Sequence, residues 1–455
     1  MERNLPVDFV NQMQTLLGET ETQRLCTAIT ATLPPVSLRL HPIKGEAIAM
    51  ATSPVPWASL GRYLDERPTF TADPRFHAGC YYVQEAASMF IEQAFQAMDI
   101  VPTAMLDLCA APGGKSTHWR SLIPDDCLLV ANEPIPLRAA ILAENLAKWG
   151  HPATIVTQAY PDAFGQHTHL FDIIAADVPC SGEGMFRKDE GAVDEWSLAN
   201  VSLCAERQQK IIADVWPSLR EGGFLVYSTC TFNTEECENN VRFICEELGA
   251  DYIPLPTNED WGTVATDFGI HFYPHRAKGE GFFLALLRKH NARDAATAKP
   301  RKSKSGRLKR IFPQQVNSWL TSPDRFAFFA PDEHLLAAIP EIHFNTLERL
   351  SRSVRIVRAG VLLAEAKGKK LIPQPELALS LALQPASFPK VHLSRPDALT
   401  YLSREALTLA EDVPRGYVLA CYEDHPLGFL NNLGNRANNL YPAEWRIRNR
   451  NLLHT

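Results

Sequence analysis

The chain has 455 residues, of which 45% are apolar and 21% charged, a composition typical of globular proteins with about two to four domains. No apolar run approaches the roughly 20 residues that span a bilayer, and the first residues do not resemble a secretory signal, so we expect neither a membrane protein nor a secreted one. The ten cysteines include no C-x-x-C pair, which predicts reduced thiols, a cytoplasmic location and no bound metal.

The chain is predicted to begin with a small mixed region, residues 1–75, that prolines interrupt at several points. Residues 76–290 alternate apolar, strand-like runs with helical patterns, which is typical of an α/β domain with a mostly parallel sheet. The predicted strands are residues 104–108, 128–132, 154–157, 172–176 and 224–228, and clear helical patterns cover residues 136–149 and 197–219.

The last part of the chain is polar at first and then rich in strand signals. Residues 291–310 are predicted to form a linker, and seven cations without an acid between residues 299 and 310 suit either phosphate contact or plain solvation. This local charge matters because the net charge of −7, taken alone, argues mildly against a nucleic-acid partner. In the region 311–455, the runs 354–357 with 361–364 and 417–422 with 427–430 predict two β-hairpins.

Residues 106–117 predict a strand, a loop of small residues and a helix start, an arrangement that binds ligands through free backbone N–H groups. Gly114-Lys115-Ser116 matches the end of a phosphate-binding P-loop, but Cys109 stands where that motif requires glycine, and the dinucleotide fingerprint is absent. A methyltransferase-type nucleoside site is the third interpretation, because Glu133 follows the second strand, where an acid can bind both ribose hydroxyls. On this loop alone, an ordinary strand–helix turn with a surface glutamate remains open.

Two cysteines follow predicted strands in the same way. Asp177 ends one strand and Cys180 lies in the loop after it, while Cys230 follows the strand at residues 224–228. Ligands of open α/β sheets bind at the carboxyl ends of strands, so we expect both thiols, the acid and Glu133 in one crevice. One such cysteine is more often a buried, inert thiol, but two beside an acid favour nucleophilic chemistry.

Three segments carry a resemblance to a known family. CAAPGGK (residues 109–115), DVPCSGEG (177–184) and STCTFNTEE (228–236) resemble the RNA cytosine-5 methyltransferases of the Nol/Nop/Sun family. The similarity is strong over residues 70–290 and looser over residues 1–70. Residues 428–446 resemble the RNA-binding PUA-like ending of the bacterial ribosomal RNA branch.

The resemblance implies the fold and the partners. It implies an α/β, Rossmann-like S-adenosylmethionine-dependent methyltransferase core (residues 76–290), an N-terminal RNA-recognition segment (1–75), the basic linker (291–310) and a C-terminal RNA-binding region (311–455) that ends in a β-rich PUA-like domain. The expected substrate is a cytosine of 16S ribosomal RNA, and the expected protein is a cytoplasmic monomer without metal or membrane association. We keep three alternatives: a transfer RNA methyltransferase, a non-catalytic RNA-binding assembly factor and, disfavoured by Cys109, an ATPase.

The resemblance also implies a role for each residue of the motifs. Cys230 is the expected nucleophile, which attacks carbon 6 of cytosine and so activates carbon 5, and Cys180 is expected to assist product release. Asp177 is expected between cofactor and base, as the candidate proton donor to the ring. The expected cofactor contacts are Cys109, Ala110, Ala111, Pro112, Gly113, Gly114 and Lys115, with Glu133 at the ribose and Asp177 beside them. The family's acid or asparagine for the adenine amine is missing, because Tyr160-Pro161 stands there, and Asp162 is not assigned to the site.

Overall fold

The computed structural model describes residues 4–45, 53–290, 308–311 and 314–449, so that most of the predicted linker, residues 291–307, lies outside the described residues. The α-helices are α1 (Val7–Leu17), α2 (Glu19–Ala31), α3 (Pro74–His77), α4 (Ile91–Gln96), α5 (Gly114–Leu122), α6 (Pro136–Trp149), α7 (Asp162–Gly165), α8 (Glu190–Glu195), α9 (Leu198–Val215), α10 (Glu238–Leu248), α11 (Gln314–Asn317), α12 (Phe344–Leu350), α13 (Pro375–Leu379) and α14 (Arg395–Leu402). The β-strands are β1 (Val36–Leu40), β2 (Ser53–Val55), β3 (Ala58–Leu64), β4 (Tyr81–Val83), β5 (Ala104–Asp107), β6 (Leu128–Asn132), β7 (Thr154–Gln158), β8 (Phe171–Asp177), β9 (Leu219–Thr229), β10 (Ala250–Ile253), β11 (Val264–Ala265), β12 (Ile270–Phe272), β13 (Phe282–Lys289), β14 (Lys309–Arg310), β15 (Phe326–Ala330), β16 (Leu335–Pro340), β17 (Arg355–Ala359), β18 (Val361–Lys367), β19 (Lys370–Pro373), β20 (Lys390–Leu393), β21 (Gly416–Tyr422), β22 (His425–Asn432) and β23 (Ala437–Asn439).

The N-terminal region consists of two helices and an antiparallel sheet of order β2-β3-β1-β4. The helices α1 and α2 meet at Gly18, whose φ of +81° favours glycine. Phe9 and Met13, one turn apart on α1, are buried, and the Phe9 ring packs edge-on against Phe186 with centroids 5.1 Å apart. Because β4 pairs with β1, this sheet includes a strand beyond residue 75, and the division into domains remains a prediction.

The centre of the molecule is one mixed sheet of order β11-β12-β13-β9-β8-β5-β6-β7-β17. Five strands of this sheet run parallel to one another: β7, β6, β5, β8 and β9. Each overlaps one of the strands predicted from the sequence, and most of the boundaries agree to within one or two residues. Leu106, Val130 and Leu225 are fully buried, as expected for parallel strands that are covered on both faces. The predicted α/β fold class is confirmed.

The C-terminal region extends this central sheet. Strand β17 pairs antiparallel with β7, from Arg355 opposite Gln158 to Ala359 opposite Ile155, whereas β18 pairs with β16 in a separate sheet. The predicted hairpin of residues 354–364 is therefore wrong. The chain turns from one sheet to the other at Gly360, where φ is +62° and a β-carbon would collide with the backbone of the neighbouring strand. The second predicted hairpin is confirmed as β21 and β22.

Several contacts connect the three parts of the chain. Lys44 Nζ donates hydrogen bonds to Lys148 O (2.9 Å), Leu379 O (2.8 Å) and Ala78 O (3.3 Å). The last sheet, of order β20-β21-β22-β23, shares an apolar cluster with the N-terminal sheet that includes Leu38 and Val418. Among the described residues, no helix is both long and apolar enough to cross a membrane.

Candidate active site

The parallel strands bring the predicted site residues to one edge of the sheet. In register, Asp107 of β5 lies opposite Ala131 of β6 and Ala175 of β8, and Asp177 lies opposite Ser228 of β9. The loops that follow these four strands carry Cys109, Glu133, Cys180 and Cys230 in turn. The parallel register therefore brings these residues to one edge of the sheet, at the carboxyl ends of β5, β6, β8 and β9.

The small-residue loop after β5 is fixed against its neighbours. Ala110 N donates to Asn132 O at 2.9 Å, and the buried Asn132 side chain donates to Leu108 O at 3.0 Å. Gly113, with φ of +115°, precedes helix α5, and a β-carbon there would lie 3.3 Å from the Leu142 side chain. Only small residues permit this close packing, which leaves the loop backbone and the N-terminus of α5 at the crevice.

Beneath this loop lies a buried carboxyl group that the sequence analysis did not single out. Asp107 accepts a hydrogen bond from Ser116 Oγ at 2.7 Å. Burial, opposed in part by this hydrogen bond, raises the pKa of Asp107 to about 7. Burial also raises the pKa of the Cys109 thiol, and the Asp107 carboxyl raises it further, so that Cys109 stays a neutral thiol.

Glu133 lies where the sequence predicted it, directly after β6, and its side chain is almost fully buried. Its Oε1 accepts from Ile135 N at 3.0 Å, and Arg138 lies 3.4 Å from Oε2. Arg138 also donates to Ala111 O at 3.2 Å, which connects this acid to the small-residue loop. These contacts hold the Glu133 carboxylate beside the small-residue loop, and its role at a ribose stays a prediction.

Lys115 and Asp177 form an ion pair at this edge of the sheet. Lys115 Nζ lies 2.9 Å from Asp177 Oδ2, and Ser228 Oγ donates to Asp177 Oδ1 at 2.8 Å. Burial lowers the pKa of Lys115, but the Asp177 carboxylate and the nearby Cys230 raise it by more, so that it lies above its ordinary value. Lys115 was expected only as a cofactor contact. The structure instead places its ammonium group on the acid expected beside the base.

The two cysteines meet. Cys180 Sγ and Cys230 Sγ are 3.1 Å apart, close enough for a hydrogen bond between a thiol and its neighbour. This hydrogen bond and burial raise the pKa of the Cys180 thiol well above its ordinary value, and either sulfur can be the donor of the bond. Sequence reasoning could place both cysteines at strand ends, but it could not rank them.

Three buried polar residues in the two cysteine loops were not expected from the sequence. They are Glu183, Asn233 and Glu236, here called the Glu183–Asn233–Glu236 cluster. The only signal was that all three lie within the motifs that resemble the methyltransferase family. Residues 231–236 read in sequence as a capped helix start, but helix α10 begins only at Glu238. The intervening residues form turns whose side chains bind the Cys180 loop instead.

One further group of side chains could bind a metal ion. A thiol, a carboxylate and an imidazole, those of Cys237, Glu238 and His271, lie with their ligand atoms within 4.8 Å of one another. Glu238 Oε1 and His271 Nε2 already form a 2.8 Å contact, whereas Glu238 Oε2 and His271 Nδ1 are buried without a hydrogen-bond partner among the described residues. The expectation of a metal-free protein stays a prediction.

Comparison with known proteins places this geometry in a family. Residues 99–288 match the family model described as 16S rRNA methyltransferase RsmB/F, residues 5–86 match the N-terminal domain of 16S rRNA methyltransferase RsmF, and residues 388–447 match the RsmF PUA domain. The Ribosomal RNA small subunit methyltransferase F of Erwinia tasmaniensis is 31% identical, over 96% of this chain and 96% of that protein. The chain belongs to the 16S rRNA methyltransferase RsmB/F family. This membership confirms the family relationship expected from the sequence. It also confirms the expectation of an RNA methyltransferase.

Other relatives and solved structures agree. The methyltransferase F of Photobacterium profundum is 30% identical over 88% of this chain and 86% of its own length. NSun6 from Pyrococcus horikoshii, solved with SFG, matches 64% of this chain and all of its own with a TM-score of 0.54 and 20% identity. A methyltransferase homologue from the same organism matches 63% of this chain with a TM-score of 0.52 and 24% identity. These two structures support the fold of the RsmB/F family member described here.

Proposed function

We propose that this protein methylates carbon 5 of a cytosine in 16S ribosomal RNA, with S-adenosylmethionine as the methyl donor. The observation that carries the proposal is the pair of thiols 3.1 Å apart at the strand ends, beside the Lys115–Asp177 pair and the small-residue loop. The relatives are named as methyltransferases of small-subunit ribosomal RNA, which supports this RNA over transfer RNA as the substrate. A ribosomal RNA substrate also supports the cytoplasm as the place of the reaction.

The cofactor fits the residues that the crevice provides. Residues 109–113 lead into the N-terminus of α5, which begins at Gly114, and the free backbone N–H groups of such a terminus bind anionic groups of a ligand. Glu133 offers a carboxylate at the end of β6, where it can accept hydrogen bonds from both ribose hydroxyls. When bound, S-adenosylmethionine supplies an electrophilic methyl group.

Cys230 is the proposed nucleophile. Its sulfur lies 3.1 Å from the Cys180 sulfur, and the Lys115 ammonium group lies nearby, where its positive charge interacts with Cys230. The thiolate adds to C6 of cytosine, a C6–S bond forms, and the electron pair of the C5–C6 double bond makes C5 nucleophilic. The charge that develops towards N3 needs a donor, and the Lys115–Asp177 pair provides a donor and an acceptor for the edge of the base.

Cys180 is proposed to assist release. After methyl transfer, a base removes the proton from C5, the C5–C6 double bond re-forms, and the C6–S bond breaks with its electrons returning to Cys230. The Cys180 thiol lies within hydrogen-bond distance of that departing sulfur, and its raised pKa keeps it protonated and able to donate. A target base must leave its stack to reach these groups, which favours loops or melted segments of RNA.

In vitro methylation tests the proposal. Purified protein is incubated with S-adenosylmethionine and either small-subunit ribosomal RNA or total transfer RNA, and 5-methylcytosine is located by bisulfite sequencing. We expect a modified cytosine in the ribosomal RNA that is lost in Cys230→Ala and retained in Cys245→Ala, a matched change at a half-buried thiol on α10. Modification of transfer RNA alone would support the transfer RNA alternative. Absence of 5-methylcytosine from both would reject the reaction.

A further inference from the structure

Each cysteine loop carries a buried glutamate that binds the other loop. Glu183 follows Cys180 in the loop 178–185, and its Oε2 accepts from Phe232 N at 2.7 Å and Asn233 N at 3.0 Å, both in the loop 230–237. Glu236 belongs to the loop 230–237, and its Oε2 accepts from Ser181 N, next to Cys180, at 3.0 Å. Each loop is thus bound by a glutamate of the other loop, on either side of the pair of thiols.

Asn233 joins the two carboxylates. Its Nδ2 donates to Glu183 Oε1 at 3.0 Å and to Glu236 Oε1 at 2.9 Å, and its Oδ1 accepts from Glu236 N at 2.9 Å. Trp196 Nε1 donates to Glu183 Oε1 at 3.1 Å, and Gln208 Nε2 donates to Glu236 Oε2 at 2.7 Å. Glu183, Asn233 and Glu236 are each 0% exposed, and every carboxylate oxygen accepts at least one hydrogen bond.

Further contacts also join the two loops. Gly184 N donates to Cys230 O at 2.8 Å, and a β-carbon on Gly184 would lie only 2.9 Å from that oxygen, so the loops touch at this point. The other connections between the loops are made by the cluster, by the contact of Ser181 with Thr231 at 3.3 Å, and by Gln208 Nε2, which donates to Pro179 O at 3.0 Å as well as to Glu236. Burying two carboxylates costs free energy unless all of their oxygens are hydrogen-bonded. The network therefore favours one arrangement of the two loops, and a partial separation of the loops would leave buried oxygens without donors.

We propose that Glu183, Asn233 and Glu236 are positioning residues that set the distance between the two reactive sulfurs. None of the three touches a sulfur in the structure, and each acts through the loop that it binds. Their effect on methylation rests on the proposed function. Their effect on the distance between the sulfurs does not, because that distance can be measured without RNA or cofactor.

The first experiment measures sulfur proximity by cross-linking. Diamide, an azo oxidant, converts the Cys180 and Cys230 thiols into one disulfide and takes up the two protons and two electrons itself. The rate is followed by mass spectrometry of the linked peptides and divided by the rate at which iodoacetamide alkylates Cys230, which corrects for thiolate content. The variants are Glu183→Gln and Asn233→Ala, and the control is Glu92→Gln, a buried carboxylate that contacts Ser59 N and His118 and neither cysteine loop.

We expect the corrected cross-linking rate to fall at least about tenfold in both cluster variants, because a misplacement of about 1 Å costs on the order of 100-fold in a reaction that depends on geometry. The rate in Glu92→Gln should stay at the wild-type value. If either cluster variant fails to fold, Trp196→Phe decides, since it removes one hydrogen bond to Glu183 and keeps an aromatic ring. Wild-type rates in the folded variants, or an equal fall in the control, would overturn the proposal.

The second experiment separates positioning from general stabilisation. We expect Asn233→Ala to bind S-adenosylhomocysteine as the wild type does and to keep the KM for RNA, while kcat falls about tenfold or more and covalent protein–RNA complex accumulates. A residue that only stabilises the fold would lower the melting temperature and leave the ratio of adduct to product unchanged, which would contradict the proposal. Failure of the wild type to methylate RNA would reject the proposed function and leave the cross-linking test valid.

Discussion

Removing the chain beyond residue 310 is expected to unfold the core that carries the active site, rather than merely to weaken RNA binding. Strand β17 pairs with β7, and Phe344, Leu347, Leu350 and Val354 are buried in the same apolar cluster as the central strands. Full burial of each such side chain contributes about 1.5–3 kcal/mol, and the four together contribute roughly 6–12 kcal/mol as an upper bound. That sum is comparable to the whole stability of a domain, about 5–15 kcal/mol.

A matched pair of substitutions measures this contribution without truncation. Leu347 on α12 is 0% exposed, whereas Ile342, five positions earlier in the same segment, is 67% exposed. We expect Leu347→Ala to lower the free energy of unfolding by about 2–5 kcal/mol and Ile342→Ala to change it by less than about 0.5 kcal/mol. Urea unfolding followed by tryptophan fluorescence provides both values. The truncated chain should show no cooperative transition and no binding of S-adenosylhomocysteine. A truncated chain that unfolds cooperatively and binds this ligand as the full chain does would refute the reasoning.

Three further predictions concern the site. Cys180→Ala should accumulate a protein–RNA adduct that survives denaturing electrophoresis, and Cys230→Ala should form none. The reverse pattern would make Cys180, in the loop 178–185, the nucleophile. Glu133→Ala should weaken binding of S-adenosylhomocysteine by about 2–3 kcal/mol in calorimetry, because a charged acceptor of two hydroxyls is lost, and unchanged affinity would remove Glu133 from the site. Burial raises the pKa of Asp107 from an ordinary 3.8 to about 7, so its contribution to stability is fully present at low pH and is lost as the pH rises through about 7. The difference in unfolding free energy between the wild type and Asp107→Asn, which keeps an acceptor for Ser116, should therefore fall from about pH 4 to about pH 8, and a difference independent of pH would contradict the raised pKa.

Comparison of the predicted and observed elements shows which features local pattern determines. Strands β5 to β9 and helix α6 follow from apolar runs and from helical periodicity, and the parallel order then brings Glu133, Asp177 and both cysteines to one edge. The hairpin expected at residues 354–364 failed because Gly360 produces the same turn signal whether the two strands pair with each other or with different sheets. Which strand pairs with which depends on segments that are distant in the chain, and the local sequence of one strand does not determine its partner.

The sequence by itself therefore determined the fold class, the family and the chemical groups of the site, because these depend on residue type and on spacing along the chain. Only the tertiary structure decided that Cys180 and Cys230 lie 3.1 Å apart, that Lys115 binds Asp177, and that the sheet gains a strand from the C-terminal region. It also decided how the buried Glu183 carboxylate is hydrogen-bonded, since its donors come from a loop about 50 positions away in the chain. Distances and pKa values depend on neighbours that folding supplies, and the physical reason is that hydrogen bonds and burial act through space and not along the sequence.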